Sequence, residues 1–132
     1  MKIYKVKYTN QVLQQIEDMV SYILDELQSV YAANDLLNTL ETAMQSLREL
    51  PKRHQLVNDE PWQTEGVRKF VVKNCNVYYW TDDVNGEVWV IAVVSGTQNQ
   101  ENVLKRVYID NGKVHYTGPY VVETSAEYNK GR

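Results

Sequence analysis

One cysteine, Cys75, and two histidines, His54 and His115, are all that this chain of 132 residues offers to thiol or imidazole chemistry. A lone cysteine leaves no disulfide to form within the chain, and residues so far apart have none of the spacings of a metal site. No glycine pattern suits the cradling of a phosphate, so no cofactor is implied. Val94-Ser95-Gly96 lacks the Gly-x-Ser-x-Gly elbow of a serine hydrolase. Long apolar runs are missing as well. The longest uncharged stretch, Val88 to Gln100, is too short to cross a bilayer. Met1 to Asn10 carries lysines but no apolar centre of a signal peptide, so a cytoplasmic protein with no membrane partner is expected. Positive charge is also short: 14 Lys and Arg stand against 17 Asp and Glu, a net charge of −3. Proteins that grip many phosphates usually carry a basic excess, so nucleic acid is not the default partner.

What is present is an ordinary globular composition, 43% hydrophobic and 23% charged, on a chain the length of one domain. Lys2 to Tyr8 alternates lysine with apolar side chains and predicts a half-buried strand. Thr9 suits the N-cap of a helix carrying Leu13, Ile16, Val20, Ile23, Leu24 and Leu27 at helical spacing. Gln28-Ser29-Val30 breaks it. A second helix starts near Tyr31 and holds Leu36, Leu37, Leu40, Met44, Leu47 and Leu50, until Pro51 stops it. The two form an antiparallel pair.

Residues 51–66 are polar and read as the longest loop. The period then changes to two, and Val67–Lys73, Asn76–Thr81 and Glu87–Val94 are rich in the β-branched and aromatic residues that strands favour. Asn85-Gly86 is a strong hairpin signal and Asn74-Cys75 a weaker one. A helical turn or two at 99–105 precedes a second hairpin, Arg106–Asp110 and Lys113–Thr117 around Asn111-Gly112. The fold class is therefore α+β, in the order β-α-α-β-β-β. A helix hairpin covers one face of a mainly antiparallel sheet, and a C-terminal β-hairpin is appended. The expected division is a domain over 1–105, a β-hairpin extension of it over 106–123, and a flexible tail over 124–132.

With two-residue turns at both signals, Val72 faces Val77, Phe70 faces Tyr79 and Thr81 faces Val90. Phe70, Val72, Val77, Tyr79, Val88, Val90, Ala92 and Val94 then seat the helices. The opposite face collects Lys69, Val71, Lys73, Tyr78, Trp80, Trp89, Ile91 and Val93. Large aromatics each have about 150–250 Å² to bury, so that face calls for a cover. The 106–123 hairpin, a second subunit or a partner would supply it.

The strand and helix pair together with Leu47-Arg48-Glu49-Leu50-Pro51, Gly66-Val67-Arg68-Lys69-Phe70, Asn76-Val77-Tyr78-Tyr79-Trp80 and the tract Gly96–Leu104 resemble the RelE/ParE superfamily of bacterial toxins. The resemblance covers residues 2–105. It implies a toxin of a type II toxin–antitoxin module, of the kind that stabilises plasmids, wrapped by an extended segment of a cognate antitoxin. It also implies one of two targets. RelE-like members cut mRNA in the ribosome with basic residues plus a Tyr or His, and ParE-like members poison DNA gyrase. Where ribonuclease members place His or Arg, this chain has Ser95, Gly96, Thr97 and Gln98, and Leu104 stands where an aromatic hydroxyl can follow.

The candidate catalytic residues are accordingly few. Arg68, with Lys69, Lys73, Lys52 and Arg53, could stabilise phosphate charge, and His54 could be a general acid or base, a histidine's unperturbed pKa being close to neutrality. The inventory favours a binding protein over an enzyme; an enzyme would be an mRNA endoribonuclease. Gyrase-type inhibition ranks first, a non-toxic binding or inhibitor module on the same fold second, and the ribosome-dependent nuclease third. The expected partner surface is Lys69, Lys73, Tyr78, Trp80, Trp89 and Ile91, or the groove beside the helix pair. Lysines on that surface favour acidic partner segments. A homodimer is left open.

Overall fold

The computed structural model describes residues 2–96, residue 104, and the backbones of two strands at 107–110 and 113–116. Strand β1 (Lys5–Tyr8) leads into α1 (Asn10–Tyr22), which Thr9 caps by accepting a hydrogen bond from the Val12 amide at 3.2 Å. One wider π-turn, Ile23–Leu27, continues α1 until Gln28 takes a left-handed conformation (φ 50°) and ends it. Ser29 then caps α2 (Val30–Gln45), its hydroxyl accepting from the Ala32 amide at 3.0 Å. That helix closes earlier than Pro51 alone requires. A 3₁₀ turn at Ser46–Arg48 tightens its end, and the Arg53 guanidinium donates to the Ser46, Glu49 and Leu50 carbonyls. A cation on a helix C-terminus satisfies carbonyls that have no partner within the helix.

The sheet is β1–β4–β3–β2, built from β2 (Arg68–Val72), β3 (Cys75–Asp82) and β4 (Glu87–Ser95). Its three later strands are antiparallel, and β1 joins β4 in parallel, Lys5 opposite Glu87 and Tyr8 opposite Val90. The first hairpin turns one residue earlier than expected. Lys73 and Asn74 form it with φ of 51° and 62°, so Val72 faces Cys75 and Phe70 faces Val77. Positive φ at both central residues is what the right-handed twist of a hairpin asks of a two-residue turn. Moving the turn by one residue shifts the pairing by two, so Phe70 and Tyr79 keep their faces.

A second difference does change faces. Tyr79 pairs with Val90 and Tyr78 with Ala92, so Ile91 is an extra residue in β4, a bulge. Beyond it the alternation inverts: Val93 joins the helix-side core, while Ala92 and Val94 go to the other face. The helix-side core holds Tyr8, Val12, Leu40, Met44, Leu47, Val77, Tyr79, Val88 and Val90.

The opposite face is a second core, and its cover is the segment expected to be a polar loop. Val57, Trp62 and Val67, with Leu104, pack over Tyr78, Trp89, Ile91, Ala92 and Val94. A one-turn helix α3 (Trp62–Glu65) presents the indole, and Gly66 (φ 93°) ends it with its amide bonded back to Gln63. The second hairpin forms where Asn111-Gly112 placed it, as β5 (Val107–Asp110) and β6 (Lys113–Tyr116). Among the described residues these two strands pair with each other, and neither joins the main sheet. Residues 124–132, expected as a tail, lie outside the described residues.

Candidate functional site

Arg68 and His54 do come together. Arg68 opens β2, and its Nη1 donates to the His54 backbone carbonyl at 2.7 Å. The His54 ring stacks on Phe70 at 4.5 Å between centroids and meets Tyr79 edge-on at 6.1 Å. Burial, and then the neighbouring Arg53 charge, push the imidazole pKa below its ordinary value, so the ring is held neutral. Tyr79, fully buried, donates its hydroxyl to the Pro51 carbonyl. Burial raises its pKa to about 12, so it stays a protonated donor. A neutral imidazole, two guanidinium groups and a phenol thus share one corner. Each is bonded or stacked into the fold there.

The remaining cations of the sequence-derived cluster are dispersed. Lys52 pairs with Asp83 at 2.6 Å, in a knot that also takes the Tyr4 hydroxyl on the same carboxylate and the Lys2 ammonium on its carbonyl. The lysine and the phenol hold the Asp83 carboxyl below the usual range. Lys73 reaches across to Asp35 of α2 at 2.5 Å, a hydrogen-bonded contact that raises its pKa. Lys69 lies 6.0 Å over the Tyr78 ring.

Tyr78, Trp89 and Ile91 do not stand on the surface. Each is less than a tenth exposed beneath Trp62 and Val57. Lys7 lies 5.9 Å over the Trp89 ring, and Trp80, half-buried, donates its indole N–H to the Glu65 carbonyl at 2.8 Å. The aromatic surface expected for a partner is therefore occupied by the chain itself, because the 54–67 segment carries its own apolar residues inside a polar sequence. Of the named partner residues, Lys69 and Lys73 remain toward solvent, with one side of Trp80.

The helix side is more open. Ile16 and Val20 of α1, Leu37 and Met44 of α2, and Val6 and Tyr8 of β1 line a cleft of about 650 Å³, with Glu17 and Glu41 at its margins. At the sheet end of the helix pair a second cavity of about 720 Å³ is lined by Met19, Tyr22, Tyr31, Leu36 and Cys75, beside Asp18, Asp35 and Lys73. Around the turn between the helices, Tyr22, Leu27, Val30 and Tyr31 are 60–81% exposed. Among the described residues no helix is long and apolar enough to cross a membrane.

Two helices over a four-stranded sheet with a parallel first strand define a small α+β fold. The architecture is shared with the chromosomal ParDE TA system from P. aeruginosa: TM-score 0.58, 10% identity, 72% of this chain and 98% of that one. It is shared also with the toxin–antitoxin complex RelBE2 from Mycobacterium tuberculosis: TM-score 0.52, 19% identity, 72% of this chain and 93% of that one. At those identities the likeness speaks for the fold. No curated protein matches the sequence. Residues 6–100 match the ParE toxin of the type II toxin–antitoxin system parDE, and the chain belongs to that family.

Proposed function

We propose that this ParE-family toxin acts by binding a replication or translation target, DNA gyrase first, and that a cognate antitoxin neutralises it in the cytoplasm of a bacterium. The observation that carries binding over hydrolysis is the corner around His54. Strand scission by a 2′-hydroxyl needs a base for its proton and an acid for the leaving oxygen, each worth about 10²–10⁴ in rate. Tyr79 is buried with its proton committed to Pro51, and the His54 ring is stacked on Phe70 and meets Tyr79 edge-on. Arg68 spends a donor on the His54 carbonyl. Support for an antitoxin comes from the apolar cleft beside the helix pair and the exposed aromatics at its turn.

The test is induced expression in bacteria, followed by supercoiling of relaxed plasmid by purified gyrase with the purified protein. Growth arrest together with dose-dependent loss of supercoiling is expected. Unchanged growth would overturn toxicity and leave a binding module on the same fold. A second reading, an mRNA endoribonuclease, rests on the neutral imidazole beside Arg53 and Arg68. It would displace the first if a translation extract gave site-specific cuts that vanish in His54→Ala.

A further inference from the structure

Charge is uneven along this chain. From Thr9 to Leu47 the chain has no Lys, Arg or His, yet it carries Glu17, Asp18, Asp25, Glu26, Asp35 and Glu41. That stretch is the whole helix pair. Lys73 neutralises Asp35; among the described residues none of the other five is in an ion pair. The paired cations are spent on other ground, Lys7 on Glu87 and Lys52 on Asp83.

Glu17 on α1 and Glu41 on α2 are both exposed and both border the apolar cleft floored by β1. Its volume, about 650 Å³, is in the range of sites that bury a few side chains of a ligand. Whatever enters brings its own charges within the screening distance of about 8 Å at physiological salt, so the margins select by sign. A second copy of this helix pair would set acid against acid. The chain's own Tyr120-Val121-Val122 is followed by Glu123, the same wrong sign next to its apolar residues.

We infer that the cleft takes a basic amphipathic segment of a partner protein. Its apolar side chains, recurring at helical spacing, seat between α1 and α2, and its Lys or Arg residues lie opposite Glu17 and Glu41. The inference rests on the reading of the helix side as the antitoxin-docking face and adds the charge of the docking segment. It reverses the acidic segment that Lys69 and Lys73 suggested.

Three labelled peptides with one composition of Leu and Ile test it by fluorescence anisotropy on the full chain. The first flanks a helical apolar pattern with Lys, the second flanks the same pattern with Glu, and the third scrambles the pattern of the first. Each is titrated at low and high salt into the wild type and into Glu17→Lys/Glu41→Lys, whose exposed sites leave the fold intact by circular dichroism. The Lys peptide is expected to bind about tenfold tighter than the Glu peptide at low salt, as two exposed ion pairs would give. High salt should compress that ratio, the double variant should invert it, and the scrambled peptide should bind weakly. Equal binding of the Lys and Glu peptides would overturn the charge assignment and leave the docking face standing. No binding by either, or equal binding by the scrambled peptide, would remove the docking face too.

Discussion

Trp62→Ala asks whether the second face of the sheet is a core or a surface. The indole is 8% exposed and packs, with Val57 and Val67, over Tyr78, Trp89 and Ile91. A tryptophan buries about 150–250 Å². At about 25 cal/mol per Å² that is about 4–6 kcal/mol, an upper figure because unfolded chains already bury part of their surface. Measured truncations of buried aromatics to Ala cost about 3–5 kcal/mol, which includes the cavity left behind. Domains are stable by about 5–15 kcal/mol, so the variant should stay folded only narrowly.

The assay is urea unfolding followed by circular dichroism and by the fluorescence of the remaining indoles, Trp80 and Trp89. The midpoint should fall steeply, and Trp89 should shift toward the emission of a solvated indole before global unfolding. Trp62→Phe should recover about half the loss, since it refills part of the volume without the indole N–H. A side chain lying on an open face would instead change stability by about 0.5 kcal/mol or less. A loss below about 1 kcal/mol in Trp62→Ala, with Trp89 emission unmoved, would refute the second core.

Tyr79→Phe should cost about 1–3 kcal/mol in the same unfolding assay, because the Pro51 carbonyl then has no donor in a buried place. His54 is held below its ordinary pKa, so the unfolded chain binds that proton more readily than the native one. Its stabilisation is complete above the unfolded value near 6.5 and is lost as pH falls through it, a loss that His54→Gln should abolish in melts taken at pH 7 and below 6. Asp83 is also depressed and has a separate window: its contribution should fade only near and below a carboxylate's ordinary pKa of about 4, and Asp83→Asn should remove that step. Gly66→Ala should cost about 1–2 kcal/mol in thermal melts. Its φ of 93° strains an L side chain, whereas the new Cβ would meet Trp80 at an unstrained 3.7 Å.

The helix pair was legible because burial on one side of a helix writes itself as a 3.6-residue period, and Thr9 and Ser29 are caps of the ordinary kind. The sequence points to the hairpin turn one residue later than Lys73-Asn74, since lysine is a poor signal for positive φ and its Asp35 contact is invisible in sequence. The bulge at Ile91 was hidden for a different reason. In a run of Val, Trp, Ile and Ala buried on both faces no polar residue marks which side is which. Val57 and Trp62 lie in a stretch that reads as a polar loop and Val67 at the start of a strand, and only their packing in one cluster with Tyr78 and Ile91 makes them one surface. Of the candidate site, the approach of Arg68 to His54 was readable as a cluster, but the stacking on Phe70 was not. The acidic helix pair needed no coordinates: the gap in Lys and Arg from Thr9 to Leu47 is in the sequence itself.

The cleft also depends on the strand pairing most distant in sequence among the described residues. Its floor is Val6 and Tyr8, which β1 holds in place by running parallel to β4, Lys5 opposite Glu87. The Thr9 amide donates to the Val90 carbonyl at 3.2 Å, so the N-cap of α1 is itself anchored to the last core strand. Gln15 of α1 accepts from the Val93 amide at 2.8 Å, just beyond the bulge, where that amide is turned toward the helices. A partner seated between α1 and α2 therefore meets walls whose spacing is set by β4. Non-local pairings pay their loop-closure entropy before any contact rewards them. Binding there selects the chain with its sheet complete, and a segment that binds only that state stabilises it by mass action. The bulge at Ile91 thus shapes the cleft although it lies on the far side of the sheet from it: were Ile91 kept and the bulge straightened into strict alternation, Val93 would leave the helix side and Gln15 would lose its amide.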